Sequence, residues 1–539
     1  MSRRWTLDDA RELYNIRGWG LDLFDVLEPG HMAMTAGSQP LDLRALVDDL
    51  VEREIEPPFL IRFTDVLRAR VNALCSTFQA TIAEHEYKGL YRGVYPIKCN
   101  QQRQVVEEVV EAGRPYHLGL ECGSKPELMI VMAEMTDPEA LIICNGYKDA
   151  EYIEMALIAQ KLGVRCVLVV EQPSELDTIL QVSDAIGIEP MLGVRVRLAA
   201  QGTGRWKSSS GDRAKFGLSA AEIIEVVDVL KAREGLSWLK LLHYHIGSQI
   251  SAVRRIQDAV REASRFYVEL KRFGAEMGFL DVGGGLGIDY DGSRTDFDSS
   301  MNYDLAEYAE TIVTTIAEVC DESEIAHPNI VTETGRALVA HSSLLVVPVM
   351  EASRPAGKVD AKLIEKYPSV AELNELHDEL SARRPQRVNH RLADIRERML
   401  NRFEMGLAGL EERAAVETMA RDLARKLYRL VIRHGALPED VEDLEKAELD
   451  IYYCNFSVFQ SMPDSWAIDQ VFPVVPLQRL GERPTRRGTL ADVTCDSDGR
   501  LDRFVDVRDV KRSLELHKLD GTPYYLGIFL LGAYQEILG

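Results

Sequence analysis

The stretch "GVYPIKCNQQ", residues 93 to 102, sets one lysine among strand-like apolar residues and follows it with a polar run ready to start a helix. Taking an ammonium out of water costs several kcal/mol unless it is paired or loses its charge, so Lys98 is either at a wet rim or chemically used. Four other stretches carry groups that could work with it. "LDVGGGLGIDY" has glycines at 283, 284, 285 and 287, where bare backbone N–H groups can approach an anion at a strand end, or merely form a tight turn. A dinucleotide fingerprint is not met, since neither a second mononucleotide half nor the spacing to a ribose-binding acid is evident. In "ETGR", Glu333 offers a carboxylate and Arg336 a planar fork suited to phosphate, the alternative being an ordinary surface pair. "HYHIGSQ" places His243 and His245 on alternate positions, hence on one side of a strand. No third metal ligand is evident nearby. His245, followed by Gly247 and Ser248, is the better candidate for a flat ring against a ligand. "DVTCDSDGR" sets Cys495 beside Asp496 and Asp498 in a turn. A thiol flanked by carboxylates suits proton donation better than nucleophilic attack, the alternative being an inert thiol in an acidic loop.

These groups need a frame that brings them together. Eight short apolar runs, "LYRGVYPIK", "YHLGLEC", "ALIICN", "RCVLVV", "MLGVRVRL", "LKLLHYHIGS", "FLDVGGG" and "NIVTETGRALVA", alternate with stretches of helical period such as "QQRQVVEEVVEA" and "NYDLAEYAETIVTTIAEVC". The pattern predicts a closed (β/α)₈ barrel over residues 61–340, with an open doubly wound sheet as the competing arrangement. In a barrel, Lys98, His245, the glycines and Glu333 converge on the rim where strands end. Residues 355–447 are charged, poor in glycine and helical in period, which predicts an inserted helical bundle. Residues 448–539 return to β-rich, turn-punctuated sequence. A second, β-type domain is expected there, joined by residues 1–60 and 341–354.

The 539 residues carry a formal charge of −23, so nucleic acid is an unsuitable partner. With 46% hydrophobic and 28% charged residues, and no apolar run of membrane length, a soluble chain is expected. The N-terminal arginines have no apolar stretch behind them, and the eight cysteines show neither CxxC pairs nor compact ligand spacing. A cytoplasmic protein with reduced thiols is the expectation.

Taken together, "YPIKCN", "HIGSQ", "GGGLG", "ETGR", "TCDSD" and "GAYQE" resemble the pyridoxal-phosphate decarboxylases of the alanine racemase-like fold. "YNIRGWG", "GTGRWKSSSGDRAKFGL", "NFSVFQSMPDSWAIDQVFPVVPL" and "DVTCDSDG" narrow the resemblance to the biosynthetic arginine decarboxylases of bacteria, over almost the whole chain. The resemblance implies that Lys98 forms a Schiff base with pyridoxal phosphate, that His245 stacks on its ring and that Glu333 pairs with the ring nitrogen. It implies phosphate contacts from Ser248, Gly284, Gly285, Arg336 and Tyr534, and ring-side roles for Glu121 and Arg197. Cys495 would return a proton from the neighbouring subunit, so a homodimer is the minimal unit and higher homo-oligomers are open. Asp469 and Asp496 match the positions that receive the substrate's tail, with Asp464 as the alternative to Asp469. The implied reaction is decarboxylation of L-arginine to agmatine, which opens a polyamine route. Ornithine, lysine or diaminopimelate as substrate, racemisation, and an inactive regulatory relative are the competing readings. Mg²⁺ follows from the resemblance alone, with no octahedral oxygen-ligand motif to place it. Relatives extend beyond Gly539, so further C-terminal elements are expected.

Overall fold

The computed structural model describes residues 4–199, 216–353, 359–380, 385–433, 444–445, 448–506 and 510–538. Most of the "GTGRWKSSSGDRAKFGL" motif therefore lies outside the described residues. All eight apolar runs form parallel strands: β1 (Val94–Pro96), β2 (Gly119–Cys122), β3 (Leu141–Cys144), β4 (Arg165–Val170), β5 (Leu192–Arg195), β6 (Leu239–His243), β7 (Phe279–Asp281) and β8 (Asn329–Val331). They are ordered sequentially from β1 to β8, without the reversal that marks a doubly wound sheet. Closure comes from the chain entering β1: Arg92 N–H donates to Ile330 O at 2.8 Å and Val94 N–H to Thr332 O at 2.9 Å. The chain is an α/β protein built on a (β/α)₈ barrel.

Local sequence explains why helices begin after these strands. Ser124, Asp149, Ser219 and Asp304 each accept a backbone N–H of the first turn from their side chain, capping the helices Lys125–Glu134, Ala150–Lys161, Ala220–Ala232 and Leu305–Glu322. Each strand then alternates its faces. One face packs under the helices as part of the main core, while Val94, Leu141, Ile143, Val167, Val169, Leu241 and Val331 form a separate apolar cluster. These residues, drawn from the same strands with the opposite parity, fill the barrel's interior.

The chain leaves the barrel through the short helix Gly335–Val339 into β9 (Ser343–Ser353). With β10 (Asp450–Cys454), β11 (Val474–Pro476), β12 (Arg486–Ala491) and β13 (Tyr525–Phe529) it forms the second sheet, in the order β11-β13-β9-β10-β12 followed by Arg500–Leu501. The N-terminal segment joins this sheet. Phe59–Arg62 pairs antiparallel with Ser343–Val346, and the rings of Trp19 and Phe24 pack on Phe529 at 4.8 and 5.0 Å. Between β9 and β10 the helices Pro368–Asp378, Pro385–Glu404 and Leu410–Arg433 pack on their own apolar core, which includes Leu373, Leu392 and Leu423.

Candidate active site

Strand β1 ends at Pro96, and a single 3₁₀ turn, Ile97–Cys99, follows. Ile97 and Cys99 are buried on either side, so the turn aims Lys98 into the barrel mouth, where its side chain keeps 45% exposure. Its Nζ donates to both carboxylate oxygens of Glu121, at 3.1 and 3.2 Å. Asn145 Nδ2 donates to Glu121 Oε1 at 3.1 Å and to Glu333 Oε1 at 2.7 Å, tying the two acids together. Burial works to lower the Lys98 pKa, but Glu121 and Glu333 outweigh it and hold the amine above the ordinary lysine value. Burial, reinforced by the Asp281 charge, pushes the Glu333 carboxyl up to about 8.

On the other side of the mouth, Arg336 is buried at the start of its helix. Its Nε donates to Ser248 Oγ at 3.3 Å and its Nη1 to Tyr290 Oη at 2.9 Å, while the guanidinium lies 4.8 Å over the Tyr534 ring. No ion pair to Arg336 is present among the described residues. A buried cation held by hydroxyls and a ring is ready to receive an anion. The glycine loop faces it. Gly283 and Gly285 adopt φ of +66° and +110°, and a Cβ on Gly283 would come within 2.2 Å of Tyr244 O. Tyr534 arrives from the β domain in a left-handed conformation, φ +69°, which its N–H to Cys99 O (2.7 Å) and the Cys99 thiol to its hydroxyl (3.0 Å) secure. Ser248, Gly284, Gly285, Arg336 and Tyr534 thus share one recess with Lys98, His245 and Glu333.

This recess opens into a cavity of about 1000 Å³, also lined by Glu121, Asn145, Glu171, Arg195, His243 and Asp464. His245 Nδ1 accepts the Gly247 N–H at 3.1 Å, which leaves the ring proton on Nε2. Burial and the nearby cations Arg195 and Lys98 hold His245 well below the usual histidine value, so it presents a neutral, flat ring.

Several expected contributors stand elsewhere. Arg197 is turned from the cavity, its Nη2 donating to Gly217 O at 2.7 Å, and Arg195 lines the cavity in its place, paired with Glu171 at 2.7 Å. Strand β5 ends at Arg195, so the alternation that would put both arginines on one face stops between them. Asp469 pairs with Arg503 at 2.9 Å outside the cavity lining, whereas Asp464 reaches the cavity. Cys495 is exposed, and neither it nor Asp496 lines the cavity of its own chain. Asp281 was not anticipated. His243 Nδ1 lies 2.9 Å from its Oδ2 and 3.8 Å from Glu333 Oε1, a grouping that excludes His245. Period two would have found Asp281, Asn145 and Arg195, which continue the interior register of Phe279, Ile143 and Gly193.

The amine of Lys98, the acid Glu333 and an anion cradle around Arg336, on a barrel capped by a β domain, define the pyridoxal-dependent decarboxylases, whose pyridoxal binding domain matches residues 69–340. The arginine decarboxylase helical bundle domain matches residues 365–445, and the biosynthetic arginine decarboxylase of Gloeobacter violaceus is 50% identical across 99% of this chain and 84% of its own. The chain belongs to the family of biosynthetic arginine decarboxylases. The Nostoc relative of that name is 47% identical over 100% of this chain and 80% of its own length. The crystal structure of the Campylobacter jejuni biosynthetic arginine decarboxylase has a TM-score of 0.85 at 31% identity, covering 98% of this chain and 83% of that one. Diaminopimelate decarboxylase of Helicobacter pylori, at 16% identity and a TM-score of 0.58, shares the fold.

Proposed function

We propose that this protein decarboxylates L-arginine to agmatine and CO₂ with pyridoxal phosphate, the entry step of a polyamine route. The observation that carries the reading is the convergence of Lys98, Glu333 and the carboxylate-free Arg336 on one recess. These residues fit the cofactor end to end. Arg336, Ser248 and the N–H groups around Gly284 and Gly285 would hold its phosphate, Lys98 its aldehyde carbon, His245 its ring face and Glu333 its ring nitrogen. When bound, pyridoxal phosphate supplies an electron sink for the pair left on Cα as CO₂ departs.

The chain's own groups supply the rest. Lys98 must shed a proton before its amine can bond to carbon, and Glu121, at 3.1 Å, is placed to accept it. A neutral His245 adds no charge to the ring face, and the glycine loop packs close behind it: a Cβ on Gly284 would stand 3.2 Å from His245 Nε2. The substrate's cationic tail needs carboxylates. Asp464 offers one inside the cavity, steadied by Gln535 Nε2 at 2.8 Å, and we assign Asp469 and Asp496 to the rim that a second copy completes. Replacing Asp464 by asparagine is expected to raise KM for arginine about ten- to a hundredfold with kcat changed less. Agmatine release at varied arginine concentration measures this, and an unchanged KM removes Asp464 from the tail site.

Cys495 is exposed on the loop from β12 to Arg500–Leu501, away from its own cavity. We assign it as proton donor to Cα in a neighbouring copy, which makes the homodimer the working unit. Mixing Lys98→Ala and Cys495→Ala chains, each inactive alone, should then recover roughly a quarter of wild-type activity, since half the dimers are hybrids with one intact site each. No recovery under subunit exchange means that each chain works alone. A cytoplasmic location belongs to the same proposal: eight free thiols suit a reducing compartment, and no described helix is long and apolar enough to cross a membrane. Incubation with arginine and pyridoxal phosphate, followed by agmatine detection, tests the whole reading. CO₂ from ornithine, lysine or diaminopimelate but not arginine overturns the substrate, and recovery of D-arginine without CO₂ overturns the reaction.

A further inference from the structure

Beneath the recess, His243 stands between two acids, Asp281 and Glu333, with all three side chains buried. Asp281 Oδ1 is satisfied by the Gly283 N–H at 2.9 Å, and Glu333 Oε1 by Asn145. Asp281 Oδ2 and His243 Nδ1 lie 2.9 Å apart, yet neither has a hydrogen-bond partner among the described residues, their mutual contact included. We propose that His243 and Asp281 are a positioning pair that keeps Glu333 ionised against the ring nitrogen of bound pyridoxal phosphate, His243 taking up the proton that Glu333 gives up. The inference rests on the cofactor reading above and assigns a role to two residues outside the set expected from sequence.

The argument is one of charge. Two carboxylates this close and out of water cannot both ionise unless a cation lies between them. Burial raises the Asp281 carboxyl to about 7 and lowers His243 from the usual histidine range, so the trio by itself holds its proton on an acid. The other charged neighbours are committed: Lys98 to Glu121 at 3.1 Å and Arg195 to Glu171 at 2.7 Å. His245 is neutral, and the tyrosines around Asp281 (Tyr91, Tyr244 and Tyr308) are held far above their usual range by burial. A cationic ring nitrogen facing Glu333 favours its ionised form. The proton leaves the Glu333 carboxyl for His243 Nδ1, 3.8 Å away, and Asp281 Oδ2 stabilises the imidazolium that results. No group outside the trio changes charge.

The test uses His243→Gln, Asp281→Asn and the double variant in the full chain, reading pyridoxal phosphate affinity and the pH titration of its absorption band over roughly pH 6 to 9. His243→Gln removes the cation and leaves the acids opposed. Affinity is expected to fall about tenfold and the band's midpoint to drop by about one pH unit. Adding Asp281→Asn removes the opposing charge and is expected to restore most of both. Asp281→Asn alone is expected to cost less than about threefold, and a loss of about tenfold or more from it overturns the proposal even where His243→Gln fails to fold. A double variant no better than His243→Gln, or a His243→Gln protein with wild-type affinity and midpoint, overturns the proposal. Failure of the cofactor reading is distinct: the wild type itself would show no visible band and no borohydride-fixed label on Lys98.

Discussion

Lys98→Ala is expected to lower CO₂ release from arginine by about a thousandfold or more and to abolish the reducible link to pyridoxal phosphate. The reason lies in the surroundings of the amine. Its Nζ is the one lysine nitrogen among the described residues that line the recess, its 3₁₀ turn is clamped by buried Ile97 and Cys99, and Lys125 in the outer cavity is held by Asp149 and Glu151 at 2.7 and 2.9 Å. Removing it also takes a cation away from the buried Glu333 carboxyl, which favours the neutral form of that acid and weakens the hold on a cationic ring nitrogen. Borohydride reduction with peptide mapping, run beside a CO₂ assay, separates the outcomes. A Lys98→Ala chain that still releases CO₂ at the wild-type rate overturns the assignment of the amine. A labelled peptide elsewhere in the chain would move the chemistry to a different lysine.

Arg336→Ala is expected to weaken pyridoxal phosphate by about 2–5 kcal/mol, from some thirtyfold to several thousandfold. Binding of unphosphorylated pyridoxal should change less than about threefold. The contrast follows from the guanidinium's surroundings. It is buried, bonded to the hydroxyls of Ser248 and Tyr290 and covered by the Tyr534 ring, with no carboxylate paired to it among the described residues, so its counter-charge is left to the phosphate. Arg336→Lys should recover part of the loss, because a point charge replaces the fork without its two-pronged geometry. Equilibrium titration of both ligands measures the difference. An equal loss for pyridoxal and its phosphate means that Arg336 serves packing at the barrel mouth and not the anion.

Much of this site was legible before any coordinates, and for a definite reason. Eight apolar runs spaced by amphipathic helices leave few arrangements other than a barrel, and a barrel gathers its strand ends. Lys98, His245, the glycine run and Glu333 were therefore placed on one rim from chain order. Strand alternation carries further than was used. In β2 to β8 the interior register runs Gly119 to Glu121, Ile143 to Asn145, Val169 to Glu171, Gly193 to Arg195, Leu241 to His243, Phe279 to Asp281 and Val331 to Glu333, apolar below and polar at the mouth. The sequence by itself thus determined eight strand–helix units, the polar ends of their strands and the lysine beyond the first, while the strand order and the bonds from β1 to β8 decided for a barrel over an open sheet.

Tertiary structure alone decided which of those polar groups meet. Arg195 faces the cavity and Arg197 does not, because β5 stops between them and a strand's parity has no force once its ladder ends. Asp464 enters and Asp469 stays at the surface, because a single short helix, Pro463–Ala467, carries the first and ends before the second, and contacts with Gln535 and Arg503 from distant parts of the chain set their courses. His243 comes to lie against Asp281 and Glu333 because the parallel pairing of β6, β7 and β8 sets them side by side, and closure between β8 and β1 brings Glu333 around to the Lys98 side. Local order fixes the side of a strand on which a residue points. Only the closed sheet brings strands distant in sequence to within a hydrogen bond of one another.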